Sequence, residues 1–262
     1  MTGSCTVVVP CFNEAARLDP AHIDALTAAA DTRVLAVDDG STDDTGALLD
    51  KLAAAQPERI AVLTLAANGG KGEAVRRGLL EAISSGADLV AYCDADFAAP
   101  PDEVARLVDV LRSDPGVDAV LGSRVALLGS DIRRSALRHY TGRLFATAGS
   151  LALRAPVYDT QCGAKAFRVT GALRRALAAP FVSRWAFDVE LLGRLLQQRD
   201  PGAPPDPGRY VELPLRRWSE TGGSKLTLGS RVRAAADLVR IGRELRRAGR
   251  SADGLDEQGD VP

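Results

Sequence analysis

Residues 33–52 read RVLAVDDGSTDDTGALLDKL, and the order of their properties decides the fold. Arg33–Val37 is a short apolar run of strand-forming residues, cut off by the turn sequence Asp38-Asp39-Gly40-Ser41. A helical pattern follows, with Leu48, Leu49 and Leu52 on its inner face and Ser41 and Asp44 spaced as a capping box. The same unit recurs on both sides. Cys5–Pro10, Ile60–Leu65, Leu89–Tyr92 and Val117–Leu121 are further strand-like runs. Ala15–Ala30 and Lys71–Ser84 read as helices, as does the segment opened by Pro101, whose Val104, Leu107, Val108 and Leu111 form one apolar face. Short continuous apolar runs alternating with helices predict an α/β fold, a mostly parallel sheet with both faces covered.

After Gly122 the rhythm changes. Ile132–Leu153 carries a helical stripe through Leu137, Tyr140, Leu144, Ala148 and Leu151. Cys162–Phe167 reads as a strand, Phe187–Gln197 as a helix, Pro201–Gly208 as a loop and Tyr210–Leu213 as a strand. Leu228–Arg247 is a last helix, with Val232, Ala235, Leu238, Val239, Ile241 and Leu245 on its apolar positions. No repeat and no long linker divides the chain, so residues 1–250 are expected to form one domain, and the small, polar, acidic 251–262 a disordered tail.

The 262 residues are 46% hydrophobic and 26% charged, enough for a sizeable core. A net charge of -1 gives no general attraction to nucleic acid. Cys5, Cys11, Cys93 and Cys162 lack metal-ligand spacing, and with only His22 and His139 beside them they fit free thiols in a cytoplasmic protein. Neither a signal peptide nor a run of the ~20 apolar residues needed to cross a bilayer is apparent. Residues 225–250 are basic, from Lys225 to Arg250. They read as a helix packed on the domain with its charges in water, the alternative being a peripheral contact with the cytoplasmic face of a membrane.

In an open parallel sheet, ligands sit beyond the carboxyl ends of the strands. Here those ends carry Pro10-Cys11-Phe12-Asn13-Glu14, Asp38-Asp39-Gly40-Ser41 and Asp94-Ala95-Asp96. Asp94 and Asp96 repel one another unless a cation or donors compensate, and Mg²⁺ or Mn²⁺ bridging to a diphosphate suits such a pair. Asn68-Gly69-Gly70-Lys71-Gly72 is not a Walker A loop, because the leading glycine is missing and Gly72 stands where Ser or Thr would bind Mg²⁺. Lys71 still suits a donor phosphate.

The motifs Val7-Val8-Val9-Pro10-Cys11-Phe12-Asn13-Glu14, Val37-Asp38-Asp39-Gly40-Ser41-Thr42-Asp43, Gly70-Lys71-Gly72, Asp94-Ala95-Asp96 and Gly122-Ser123-Arg124 resemble those of family 2 glycosyltransferases, in the same order. Asp159-Thr160-Gln161-Cys162-Gly163-Ala164-Lys165, Arg184-Trp185-Ala186-Phe187-Asp188-Val189-Glu190 and Trp218-Ser219-Glu220 with Gly223-Ser224-Lys225 sharpen the likeness toward the dolichyl-phosphate and polyprenyl-phosphate glucosyltransferase branch. Phe97 departs from the pattern, since related sequences often place a small residue there.

The resemblance, over residues 4–248, implies a GT-A fold, a Rossmann-like mostly parallel sheet flanked by helices. Residues 1–123 would form the nucleotide-sugar half and 124–250 the acceptor half. It implies an inverting transfer with Mg²⁺ or Mn²⁺ on Asp94 and Asp96. The donor, a UDP-sugar, would lie among Pro10, Phe12, Glu14, Asp39, Lys71, Asp94, Ala95, Asp96, Arg124 and Lys225. Asp188 is the expected base or acceptor-orienting group, with Glu190 second; two apart on one helix, they should point differently. Arg133 and Arg138, in a basic cluster with Arg134 and Arg143 on the helix after Gly129, are expected at the acceptor with Gln161 and Trp185. The leading expectation is glucose transfer from UDP-glucose to a polyprenyl or dolichyl phosphate. A soluble natural-product or sugar acceptor, GDP-mannose as donor, and a sugar nucleotidyltransferase are the alternatives.

Overall fold

The computed structural model describes residues 3–29, 31–133, 136–153, 155–197, 207–220 and 236–247, without the side chains of 136–141, 144 and 207. Six strands run parallel in one sheet: β1 (Cys5–Cys11), β2 (Thr32–Asp38), β3 (Ile60–Thr64), β4 (Leu89–Cys93), β5 (Ala119–Ser123) and β8 (Tyr210–Pro214). The seventh, β7 (Ala164–Arg168), lies antiparallel between β4 and β5, giving the order β3-β2-β1-β4-β7-β5-β8. β4 and β5 are buried at every residue, which is why their sequences run continuously apolar instead of alternating. A two-stranded sheet pairs β6 (Asp131–Arg133) with β9 (Arg217–Ser219).

The helices α2 (Thr45–Ala55), α3 (Lys71–Ser84), α4 (Pro101–Ser113) and α7 (Phe187–Gln197) form as read from the sequence. Gly78 of α3 lies so close to β1 and β2 that an added Cβ would come within 2.4 Å of Val8. The helix 236–247, α8, buries Leu238, Ile241 and Leu245 against Leu153, Val189 and Leu192 while Val239 stays exposed, so its main apolar face is used inside the protein. Among the described residues, no helix is long and apolar enough to cross a membrane. The tail 251–262, Lys225 and most of Pro201–Gly208 lie outside the described residues.

Four local readings change. The helix expected over Ala15–Ala30 shortens to α1 (Pro20–Leu26), capped by Asp19, because residues 13–15 are held as a loop. The Ser41/Asp44 capping box does not form. α2 starts at Thr45 with no side-chain cap, and the Ser41 hydroxyl instead accepts the Asn13 N–H at 3.0 Å. The helix expected from Ile132 divides into β6 and α5 (Ala136–Leu153), so Arg133 lies on a strand. The buried line of α5 includes Ala146, Gly149 and Leu153, leaving Ala148 and Leu151 exposed. The small α6 (Gly171–Ala178) completes the fold.

Candidate active site

The carboxyl ends of β1, β2 and β4 meet at one edge, and the loops there hold each other in place. Thr45, fully buried, accepts the N–H groups of Glu14 (2.8 Å) and Ala15 (3.0 Å) through its hydroxyl and donates to Asp43. Asn13, at φ 53, accepts the Thr42 N–H at 2.8 Å through its side chain. The loops after β1 and β2 are thus one hydrogen-bonded unit. Glu14 pairs with Arg17 at 2.6 Å through one carboxylate oxygen, while the other oxygen is buried without a hydrogen-bond partner among the described residues. Pro10 and Phe12 lie half-buried beside it.

Asp39 turns inward. It is 2% exposed, and its two carboxylate oxygens accept the N–H groups of Gly69 (2.7 Å) and Gly70 (2.8 Å). Gly40, at φ +67, touches the same loop; a Cβ there would come within 2.8 Å of the backbone at 67–68. This loop delivers Lys71 at the first turn of α3, where its ammonium reaches Asp94 at 2.6 Å. Burial disfavours the Lys71 charge, but Asp94, supported by Asp188 and Asp96, outweighs that and raises its pKa. Burial raises the Asp94 pKa too; Lys71 pulls it down, and Asp96 and Asp188 push it up.

Asp94 and Asp96 follow β4 directly. Asp96 accepts the Ala98 N–H at 3.1 Å, folding 96–98 into a tight turn. Ala95 is buried beneath, and Phe97, at φ 47, is 5% exposed with its ring 4.8 Å from that of His22. No third His, Cys, Asp or Glu joins the two carboxylates among the described residues. Two carboxylates and no more suit Mg²⁺ or Mn²⁺, which complete their octahedra with water and substrate phosphates.

Asp188, at the start of α7, lies beneath this edge at 3% exposure. One of its oxygens accepts hydrogen bonds from the Tyr92 hydroxyl and from the Lys165 ammonium at 2.6 Å; Lys165, 1% exposed, also donates to the Cys162 carbonyl at 2.6 Å. Glu190 points elsewhere, as its spacing required, accepting from Arg194 at 2.6 Å and from the Val182 N–H at 2.8 Å. Arg124 grips Asp159 with two bonds of 2.7 Å and stands over the Trp218 ring. Burial raises the Asp159 pKa, but Arg124 overrides it and brings it down to about 2.

The expected acceptor residues are more dispersed. Arg133 is paired with Asp131 at 2.9 Å on the surface, and Arg143 stacks over Tyr158 at 3.9 Å. Trp185 is exposed, and the Gln161 side-chain nitrogen is buried without a hydrogen-bond partner among the described residues. The Arg138 side chain lies outside the description.

Sequence reasoning gave no separate roles to Lys165 or Gly163. The signal for Lys165 was a lysine inside an otherwise apolar strand, Ala164–Arg168. For Gly163 it was a glycine immediately before that strand.

Fold and edge together are those of a glycosyltransferase. The chain belongs to glycosyl transferase family 2, which its residues 6–173 match. It is 33% identical to a dolichyl-phosphate beta-glucosyltransferase of Trichomonas vaginalis over 90% of this chain and 70% of the relative. It is 34% identical to that of Dictyostelium discoideum, over 90% and 73%. Among solved structures, glucosyl-3-phosphoglycerate synthase from Mycobacterium tuberculosis, in complex with Mn²⁺, UDP and glucosyl-3-phosphoglycerate, is similar with a TM-score of 0.61 at 23% identity, over 94% of this chain and 80% of that one. That likeness establishes the shared fold.

Proposed function

We propose that this enzyme inverts the anomeric centre of a hexose as it transfers it from a UDP-sugar, glucose first, to a small soluble acceptor that bears a phosphate. The observation that carries the donor side is the Lys71–Asp94 contact beside Asp96, at the first turn of α3. A helix N-terminus and an ammonium favour a diphosphate, and Asp94 with Asp96 would hold the Mn²⁺ or Mg²⁺ bridging to it. When bound, that ion would supply charge neutralisation on the departing UDP. Lys71 stabilises the negative charge that grows on the leaving diphosphate.

The small acceptor is supported by the fold neighbour, a glucosyl-3-phosphoglycerate synthase. A second reading puts the phosphate on a polyprenyl or dolichyl chain. It is supported by the sequence relatives' names and by Asp188, whose carboxylate is engaged by Lys165 and Tyr92. An alcohol needs a base to attack, whereas a phosphomonoester is mostly dianionic at pH 7 and attacks through an oxygen already charged. In that reading Asp188 balances charge beneath the site.

Purified enzyme with UDP-glucose and Mn²⁺ is offered phosphoglycerate, polyprenyl phosphate in detergent, and a neutral sugar, and the products are identified by mass spectrometry. A glucosylated phosphoglycerate supports the first reading, and a glucosyl phospholipid the second. Glucosylation of the neutral sugar alone would overturn both, and no release of UDP with any acceptor would refute the donor.

A further inference from the structure

The turn Asn68-Gly69-Gly70, which carries Lys71 to Asp94, is held from two sides. Asp39 takes its N–H groups, as described above. Its carbonyls face the other way, and Arg184 takes those: the guanidinium donates to Gly69 O at 2.8 Å and to Asn68 O at 2.5 Å. The Arg184 carbonyl in turn accepts the Gly72 N–H at 3.2 Å. Contact continues along the segment. A Cβ on Gly70 would come within 3.0 Å of Arg184, a Cβ on Gly72 within 2.8 Å of Phe187, and the Lys71 ammonium stands 5.8 Å from the Phe187 ring centroid.

We infer that Arg184 is a positioning residue for Lys71: it fixes the carbonyl side of the turn as Asp39 fixes the amide side, so that the ammonium arrives at Asp94. Two features make this more than a surface hydrogen bond. The planar guanidinium meets two successive carbonyls at once, a geometry an ammonium cannot reproduce. The turn also has two successive glycines, and the Asn68 side chain, which donates to the Asp39 carbonyl at 3.3 Å, braces only its Asp39 side, so the conformation of 69–70 depends on outside partners. Arg184 is followed within four residues by Asp188, so one short segment sets both the donor lysine and the buried carboxylate beneath it. The catalytic part of the inference rests on the UDP-sugar reading; the placement of Lys71 does not.

The first test reads Lys71 in the free enzyme. An amine-acylating reagent is applied near pH 8, and labelling of Lys71 is compared by peptide mass spectrometry with that of exposed Lys51. In Arg184→Ala, Lys71 should label about three-fold faster relative to Lys51, because the Asp94 contact loosens; an unchanged ratio would overturn the inference. The second test is a double-mutant cycle on glucose transfer. Arg184→Ala should lower kcat about ten-fold with the acceptor KM unchanged, yet cost less than about two-fold once Lys71 is already Met. The full ten-fold loss in both backgrounds would overturn it. Arg184→Lys should rescue only part of the rate. Should Arg184→Ala melt below the assay temperature, Arg184→Gln serves in both tests with the same outcomes. If the wild type released no UDP, the donor reading would fail while the labelling ratio still decided the role of Arg184.

Discussion

Gly163 lies against Asp94 so closely that an added Cβ would sit 2.1 Å from the Asp94 Oδ2, and the Gly163 carbonyl accepts the Asp94 N–H at 3.0 Å. The shape of the proposed metal–diphosphate site therefore depends on a missing side chain 69 positions later in sequence. Gly163→Ala should push the carboxylate aside and lower kcat/KM for the donor by about 100-fold. Far-UV circular dichroism should stay native. A variant with unchanged Mn²⁺-supported UDP binding by calorimetry would show that the carboxylate has room to move.

Lys71→Met removes the ammonium while keeping most of the bulk. The expected loss in kcat is about 100-fold, the scale of one preorganised charge at a departing group. A rise in donor KM with kcat unchanged would mean that Lys71 binds ground state and transition state alike.

The Arg124–Asp159 pair makes a prediction about acid stability. Asp159 titrates near 2 in the folded chain, against about 3.9 for a free carboxyl, so the folded state binds fewer protons. Its stabilisation is complete above about pH 4 and is lost as the pH falls toward 2, on the order of 2 kcal/mol in all. Wild type should thus lose Tm between pH 4 and 2 more steeply than Asp159→Asn. Parallel curves would mean that the pair contributes little.

Lys165 and Asp188 are buried together, with side chains only 2% and 4% exposed. Lys165→Met leaves a buried carboxylate without its cation and should destabilise the fold by about 3–5 kcal/mol in urea titrations. The double replacement Lys165→Met with Asp188→Leu should recover a large part of that. Asp188→Asn should keep most of the turnover on polyprenyl phosphate, whose attacking oxygen is already charged; abolished turnover on that acceptor with native melting would give Asp188 the general-base role.

The four cysteines are free and buried, and burial pushes Cys5 and Cys11 up to about 12, Cys162 up to about 11, and Cys93 upward as well. Iodoacetamide at pH 8 should leave all four unmodified in the native protein and label them readily in urea. Rapid labelling of any one would reveal local opening around it.

What the sequence made legible was whatever depends on near neighbours. Apolar runs gave the strands, because a strand buried on both faces leaves no room for polar residues, and Pro101 marked the first turn of α4. The direction of β7 was not legible: Ala164–Arg168 reads the same whichever way it runs, and its partners lie far away in the chain. Arg124 was expected beside the donor, and the structure adds its bond to Asp159, 35 residues on; charge alone did not reveal that partner. The Asp94–Asp96 pair was legible because its spacing and its position after a strand are both local. The burial of Lys165 was not, because it depends on Tyr92 and Asp188 arriving from separate segments on either side of it in sequence.

The backward course of β7 has one more consequence. β5 leaves the sheet at Ser123, and because β7 runs antiparallel beside it, the chain re-enters at Ala164 on the same edge. Everything between is a single excursion, and Arg124 and Asp159 clasp its neck. Such an excursion is a cassette with its two ends side by side. Exchanging residues 125–158 between relatives would leave the seven strands of the main sheet untouched and change only β6 and α5, whereas a cut at 123 that exchanged the rest would also replace β7 in the middle of the sheet. The fold thus offers a way to trade one excursion for another over an unaltered sheet.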